Sequence, residues 1–125
     1  IDLARQRGQS KDPVMRQRLA SLYAESEAVK YYGYRSLTRR LRGLRPGPEG
    51  SVHRLALTRL SQQAQELAME LQGPYSQLMH GSARAIDEGA WQFGFLRSRS
   101  ATIAAGTAEI QKNIIGERVL GLPKG

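Results

Sequence analysis

A glycine and a threonine near the end of the chain, Gly106 and Thr107, lead directly into a segment with helical spacing. A helix N-terminus that follows a glycine presents free backbone N–H groups, which together with the helix dipole bind anions such as phosphates. Glu109 falls in the first turn of this helix, where the dipole favours a carboxylate. The alternative, and the more common use of a threonine at this position, is a plain N-cap that satisfies its own helix.

Five arginines are concentrated at the end of the longest predicted helix: Arg35, Arg39, Arg40, Arg42 and Arg45. The chain has 19 lysines and arginines against 11 acidic residues, which gives a formal net charge of +8. Such a cluster suits the phosphates of a nucleic acid, and it equally suits a solvated helix end, where positive charge complements the dipole. Because the few aromatic residues do not alternate with these arginines, nucleic-acid binding is only a remote alternative.

Other chemically capable side chains have no useful spacing. The paired tyrosines Tyr31 and Tyr32 lie within a helix, where aromatic residues more often pack than line a ligand pocket. His53 and His80 are far apart, so we expect surface or packing roles for them and no metal site. The chain has no cysteine, which excludes a disulfide framework, a thiolate metal site and a cysteine nucleophile. No segment resembles the nucleophile elbow of a hydrolase.

Helical spacing runs through the whole chain, and no run of alternating β-branched residues predicts a strand. Residues 2–8 are predicted to be the tail of a helix. A long helix follows, with Asp12 as its N-cap and Pro13 at its first position, and the Gly/Pro-rich segment 43–48 ends it. Its apolar residues recur along one stripe: Met15, Leu19, Leu22, Val29, Leu37, Leu41 and Leu44.

Three further helices are predicted. The first covers about 48–72 and is ended by a Gly-Pro pair. A looser stretch, 74–88, leads to a shorter helix around Trp91. A last helix begins at Thr107 and is closed by Gly121. Long amphipathic helices joined by short Gly/Pro turns predict an all-α fold, an antiparallel up-down helical bundle.

Composition agrees with one globular domain over residues 1–125, since 40% of the residues are apolar and 24% are charged. The apolar runs are too short for a membrane span, and no leader with a charged and an apolar region opens the chain. We therefore expect no membrane insertion, and the lack of cysteine fits a reducing compartment, the cytoplasm or an organelle matrix. Because the chain begins with Ile1 rather than Met, we expect it to be a fragment or a processed product.

The closing stretch GTAEIQKNIIGERVLGLP, from Gly106 to Pro123, resembles the C-terminal signature of acyl-CoA dehydrogenases. Residues 4–13, ARQRGQSKDP, are similar to the Arg-x-Arg-x-x-Phe-Gly-x-Pro segment of that family, and residues 48–51 with the helix that follows resemble another family segment. The resemblance covers essentially the whole chain. It implies the C-terminal helical domain of the family with its first helix truncated, without the upstream helical domain and the middle β-domain.

The resemblance implies an FAD enzyme that forms the α,β-double bond of an acyl-CoA thioester. In this family a carboxylate removes the α-proton while a hydride leaves the β-carbon for the flavin, and the electrons usually pass to an electron-transferring flavoprotein. The family is commonly a tetramer whose core is built by this domain. FAD lies at a subunit interface, so the domain also touches a neighbour's cofactor.

Five residues of this chain match cofactor-binding positions of the family. Arg7 matches the arginine that meets the FAD phosphates of the adjacent subunit, and Gln9 lies beside it in the same segment. Gly73 matches a glycine in the loop near the FAD adenosine. Thr107 and Glu109 match FAD contacts at the start of the last helix. The resemblance and the helix N-terminus thus indicate the same anion site.

The substrate side of the resemblance rests on Gly106, which matches a residue near the thioester. The position before it, where the family often has a catalytic Glu, is Ala105 and cannot take a proton. We therefore assign no catalytic residue within this chain and expect the base on a preceding part of the protein.

Four other positions depart from the family pattern: Ser10, Lys11, Glu70 and Pro74 stand where Phe, Gly, Gln and Gly are usual. Of these, Glu70 would repel a phosphate unless a cation intervenes. The departures, with the missing base, motivate an alternative function: a non-catalytic, acyl-CoA-dehydrogenase-like subunit of a mixed tetramer.

Overall fold

A computed structural model describes residues 1–45, 47–104 and 106–124. Over these ranges the chain is helical and has no β-strand, which confirms the all-α prediction. Two short 3₁₀ turns, Gly73–Gln77 and Ile86–Gly89, occupy the stretch that was expected to be loose. The helices are α1 (Asp2–Gln6), α2 (Pro13–Leu41), α3 (Glu49–Gln72), α4 (Ala90–Ser100) and α5 (Ala108–Arg118).

Helix α2 begins as its sequence predicts. The Asp12 carboxylate accepts a hydrogen bond of 2.7 Å from the backbone N–H of Met15, and Pro13 occupies the first position. This cap satisfies one of the N–H groups that every helix leaves free at its start. The helix ends at Leu41, and Gly43 takes a positive φ of 70° in the turn that follows.

Helix α3 packs against α2 in the antiparallel direction, and ion pairs at both ends of α2 show this. Arg18, near the start of α2, lies 2.5 Å from the Glu70 carboxylate near the end of α3. Arg39, near the end of α2, lies 3.5 Å from Glu49 at the start of α3. Helix α4 is antiparallel to α3, since Gln62 contacts Ser98 whereas Gln72, later in α3, contacts Gln92, earlier in α4. The predicted up-down order is confirmed for α2, α3 and α4.

Helix α3 is the central element because it contacts α1, α2, α4 and α5. The buried apolar core lies against its C-terminal half, where α1 and the first half of α2 also meet. Partly buried side chains, including Ile86 and Trp91, cover this core from the side of α4. The buried apolar residues are Leu3, Ala4, Met15, Leu67, Ala68 and Leu71.

The apolar stripe of α2 is covered over only half of its length. Met15 is buried, whereas Leu37 and Leu41 are 53% and 80% exposed. The reason is that α1 and Trp91 lie beside the first half of α2 only. Beside α1 and Trp91, an open apolar groove of about 370 Å³ lies between α2 and α3. No helix in the described ranges is long and apolar enough to cross a membrane.

Because α3 is the central helix, shortening one of its buried apolar side chains is expected to lower the stability of the fold strongly. Leu67→Ala is expected to lower the free energy of unfolding by about 2–5 kcal/mol, since Leu67 is only 3% exposed and its loss leaves a cavity. Leu41→Ala is the matched control and should change it by less than about 0.5 kcal/mol. Urea unfolding of the chain measures both, and equal losses would contradict this placement of the core.

The ion pair between Arg18 and Glu70 predicts a loss of stability in acid. The Arg18 hydrogen bond lowers the pKa of the Glu70 carboxyl. The contribution is therefore present above the unfolded pKa of about 4.3 and is lost as the pH falls through the lowered folded value. Since both side chains are about half exposed, we expect no more than about 1 kcal/mol.

A double-mutant cycle with Arg18→Gln and Glu70→Gln measures this coupling by urea unfolding. The coupling should be present at pH 7 and should have decreased at pH 3. No coupling at pH 7 would show that the pair does not form, and a coupling that is the same at both pH values would show that it does not depend on the charge of Glu70.

Candidate functional site

Three residues that the family resemblance assigns to cofactor binding, two from the 4–13 segment and one from the Gly-Pro turn, lie at the C-terminal end of α3. Gln9, in the turn after α1, donates a hydrogen bond of 3.3 Å from Nε2 to the Leu71 carbonyl. The guanidinium of Arg7 lies 5.0 Å from the centre of the Tyr75 ring, which is a cation–π contact. Gly73 ends α3 between them. We call Arg7, Gln9, Gly73 and Tyr75 the α3-end surface.

The backbone at Gly73 explains why a glycine stands at the end of α3. Its φ is +57°, a left-handed conformation that a side chain rarely adopts. A Cβ built at this position would meet no atom within 4 Å, so there is open space beside this residue. A ligand can therefore approach the backbone of this turn closely.

A chain of buried amides lies beneath the α3-end surface. Gln72 is fully buried and Gln92, on α4, is 2% exposed. Gln92 Nε2 donates to Gln72 Oε1 at 3.0 Å and to the Tyr75 carbonyl at 3.2 Å. Gln72 Nε2 donates in turn to the Ala68 carbonyl at 3.2 Å. The amides thus connect α3, the 73–77 turn and α4.

The cation that the sequence required beside Glu70 is present. Arg18 of α2 holds the Glu70 carboxylate in an ion pair, so this negative charge is compensated next to the end of α3. The Arg18 hydrogen bond also lowers the pKa of the Glu70 carboxyl, so the pair stays ionised to a lower pH than a free glutamate would. The departure at position 70 is therefore compatible with an anion nearby.

A second set of predicted residues lies at the N-terminus of α5. Thr107 is the N-cap, and its Oγ1 accepts a hydrogen bond of 3.3 Å from the Ile110 N–H. The Glu109 backbone N–H and the Thr107 hydroxyl both lower the pKa of the Glu109 carboxyl. The carboxylate thus adds a negative charge at the start of α5, which an anion that binds here must face.

The turn before α5 is held from α3. Arg54 donates to the carbonyls of Ala101, at 3.0 Å, and of Ala104. Gly106 has φ +99°, and a Cβ at this position would lie 2.6 Å from Gln111 Nε2. Glycine is therefore favoured at position 106 by its backbone conformation, and any side chain there would also displace the Gln111 amide. Ala105, the position of the missing Glu, lies outside the residues that the structure describes.

The two sets of site residues lie far apart. Thr58 borders the same small cavity as Gly106, and it precedes Gly73 by about 15 residues, or about 22 Å at 1.5 Å per residue. Arg7, Gln9 and Gly73 are thus brought together at one end of α3. Gly106, Thr107 and Glu109 are together near its other end.

The remaining sequence candidates do not join either set. The arginines at the end of α2 are mostly exposed, with Arg39 paired to Glu49. His80 is exposed and lies 3.4 Å from the Glu88 carboxylate, a neighbour that its sequence spacing did not indicate. Among the described residues, no group of three or more His, Asp or Glu side chains could hold a metal ion.

Sequence reasoning missed Tyr75, Gln92 and Arg54. Each acts through a partner that is distant in sequence: Arg7 for Tyr75, Gln72 for Gln92 and the end of α4 for Arg54. A buried glutamine has no distinguishing pattern in a sequence, and an arginine is normally read as a surface residue. For Tyr75, the sequence showed only that this residue follows a Gly-Pro pair, which is typical of a turn.

The cap at α5 predicts a measurable effect on stability. Thr107→Ala is expected to lower the free energy of unfolding by about 0.5–2 kcal/mol, because the Ile110 N–H loses its acceptor. Thr38→Ala is the control, since the Thr38 hydroxyl only donates back to the Tyr34 carbonyl within α2 and should contribute little. Urea unfolding measures both, and equal effects would argue against a cap at Thr107.

Comparison with known proteins places this arrangement in a family. Residues 1–120 match the family model described as acyl-CoA dehydrogenase, C-terminal domain. The chain is 34% identical over 124 residues to the acyl-CoA dehydrogenase IpdE1 of Mycolicibacterium smegmatis, covering 99% of this chain and 29% of that protein. It is 34% identical over 130 residues to the IpdE1 of Mycobacterium tuberculosis, covering 99% and 31%. The chain thus spans less than a third of the length of these relatives.

Solved structures give the same fold. The protein described as the Tcur3481-Tcur3483 steroid ACAD superposes with a TM-score of 0.89 at 20% identity, over 98% of this chain and 32% of that one. The ChsE4-ChsE5 complex from Mycobacterium tuberculosis superposes with a TM-score of 0.80 at 28% identity, over 92% and 30%. With the match over nearly all of its length and the helical architecture in common, the chain belongs to the acyl-CoA dehydrogenase family and corresponds to its C-terminal domain.

Proposed function

We propose that the chain is the C-terminal domain of an FAD-dependent dehydrogenase subunit that introduces an α,β-double bond into an acyl-CoA thioester. In this proposal the domain contributes to the FAD site and to the core of a tetramer. The observation that carries it is the α3-end surface: residues from two distant segments of a chain of this family meet there and offer a cation beside an open glycine turn.

The α3-end surface fits the adenosine diphosphate part of FAD. Arg7 is an exposed guanidinium, and such a group binds a pyrophosphate through charge-assisted hydrogen bonds. Gly73 leaves space for a nucleotide to lie close to the backbone. Because Arg18 compensates Glu70, no uncompensated carboxylate of that helix end opposes the phosphates.

The α5 end fits a different part of a cofactor or substrate. The Thr107 hydroxyl and the positive end of the α5 dipole favour a polar, electron-rich group. The Glu109 carboxylate, already engaged there, disfavours a second full negative charge. We assign this end to uncharged polar atoms of FAD and, at Gly106, to the vicinity of the thioester.

The separation of the two ends supports an oligomer. The two ends lie more than about 20 Å apart along α3, and the family resemblance assigns Arg7 to the FAD of an adjacent subunit. In this proposal one copy of the chain therefore contacts two cofactors, one with each end. A second subunit would then complete each FAD site. Two subunits that share cofactors in this way form a pair, and two such pairs would make the tetramer that the family resemblance implies.

In this mechanism FAD, when bound, supplies the acceptor for the hydride from the β-carbon. The residues of this chain bind and orient: Arg7 holds phosphates, Gly73 admits the nucleotide, and Thr107 with Gly106 orients the reacting end. None of them removes the α-proton, since Ala105 has no titratable group. We place the base on a part of the subunit outside this chain, and the electrons then pass to an electron-transferring flavoprotein.

A second candidate is a non-catalytic subunit of a mixed tetramer. Ala105 and the changed residues of the 7–13 segment favour it. The structural relatives described above include two complexes of two differently named chains. In this case the chain would complete the FAD site of a different, catalytic subunit.

Anaerobic titration of the whole gene product that contains this chain separates the two candidates. A panel of straight-chain, branched and steroid-derived acyl-CoAs is added while the flavin absorption band is followed. Bleaching with one class is expected if the subunit is a dehydrogenase. A protein that binds no flavin alone, or a yellow protein that never bleaches, supports the non-catalytic subunit and contradicts the first proposal.

Arg7→Gln is expected to raise the dissociation constant of FAD by about 10- to 100-fold, as loss of a charge-assisted hydrogen bond weakens binding by about 1.5–3 kcal/mol. Arg40→Gln is the control, because Arg40 is exposed on α2 and belongs neither to the α3-end surface nor to the residues at the start of α5. Flavin fluorescence measures both variants. An unchanged dissociation constant for Arg7→Gln would remove Arg7 from the cofactor site.

A further inference from the structure

We propose that Gln92 is a positioning residue for the adenosine end of the cofactor site. It acts through the 73–77 turn, which carries Gly73 and Tyr75, without itself touching the phosphates. This inference rests on the function proposed above, because it assumes that the α3-end surface binds a nucleotide.

The Gln92 amide uses both of its hydrogens on neighbouring elements. Nε2 donates to Gln72 Oε1 at 3.0 Å and to the Tyr75 carbonyl at 3.2 Å. The Tyr75 carbonyl can only accept, so the amide orientation is fixed by its partners. A single side chain of α4 thereby joins the last residue of α3 to the middle of the turn.

Among the described residues, the Gln92 bond is the one side-chain hydrogen bond that reaches the backbone of this turn from another helix. The Tyr75 carbonyl also accepts from the Leu78 N–H at 3.1 Å, a bond local to the turn that does not attach it to α4. A Cβ at Gly73 would meet no neighbour within 4 Å. Pro74 has no N–H to donate. Tyr75 is 37% exposed, and its ring contacts Arg7. The Gln92 bond is therefore the buried anchor that sets where the Tyr75 ring, and with it the Arg7 guanidinium, is placed.

The remaining polar atom of the Gln92 side chain, Oε1, is buried and has no partner among the described residues, as is also the case for Oε1 of Gln63 and of Gln65. Glutamine is rarely kept in a core with an unpaired acceptor, because such a group loses its hydration without compensation. An apolar residue of similar size would fill the same space more favourably, which fits retention of Gln92 for its two donated bonds.

The test replaces Gln92 by leucine in the whole gene product and measures nucleotide binding directly. Gln92→Leu removes both donated bonds while it keeps the volume of the side chain. We expect the dissociation constant of ADP for the flavin-free protein, measured by calorimetry, to rise at least about tenfold. The dissociation constant of FAD should rise by a similar factor.

Gln62→Leu is the matched control. Gln62 also lies on the α3–α4 contact and donates to a carbonyl of α4, that of Ser98, at 3.3 Å. It has no bond to the 73–77 turn, so its loss should lower the melting temperature and leave the ADP dissociation constant within about twofold. A purely structural role for Gln92 would instead make the two variants weaken binding in proportion to their melting temperatures.

A gentler variant, Gln92→Asn, keeps the inference testable if the leucine variant fails to fold. Its shorter side chain cannot reach both acceptors, and we expect an ADP dissociation constant raised at least threefold in a protein that stays folded. Wild-type ADP affinity in a folded Gln92 variant, with FAD bound normally, would overturn the positioning role alone. A wild-type gene product that binds neither ADP nor FAD would overturn the proposed function and this inference with it.

Discussion

The packing of four helices on α3 is the constraint on which the rest of the structure depends. In a chain of this size, one helix that contacts every other helix supplies most of the burial. The buried residues Leu67, Ala68 and Leu71 lie on its C-terminal half, so the apolar core is concentrated at that end of the helix. The same helix separates the two surfaces on which the candidate function rests.

Polar contacts do much of the positioning around this helix. The apolar core is small, and glutamine side chains take a large share of the links between α3 and α4. Gln62 reaches the Ser98 carbonyl, and Gln92 reaches Gln72 and the 73–77 turn. Such bonds contribute modestly to stability, but they are directional, so they define where a turn lies more closely than apolar packing does. This suits a domain whose proposed task is to present turns to a shared cofactor.

The two surfaces differ in charge in a way that matches different ligand atoms. At the α3 end, Arg7 is exposed and Glu70 is compensated by Arg18. At the α5 end, the local N–H and hydroxyl donors lower the pKa of the Glu109 carboxyl, which places a negative charge beside the helix N-terminus. The first surface favours a phosphate and the second an uncharged polar group. A shared cofactor between subunits is the arrangement that uses both.

The sequence by itself determined the helices, their caps and the family. The helix starts are set by Asp12, Pro13 and Thr107, whose effects reach only a few residues along the chain. Such effects can be recognised from the sequence alone. It could not determine which half of the α2 stripe is covered, since that depends on where α1 and α4 end. Nor could it bring Arg7 to Tyr75, because that contact joins positions far apart in the chain. Only the packing of the helices decides such contacts, since local periodicity fixes which face of a helix is apolar and leaves open what lies against it.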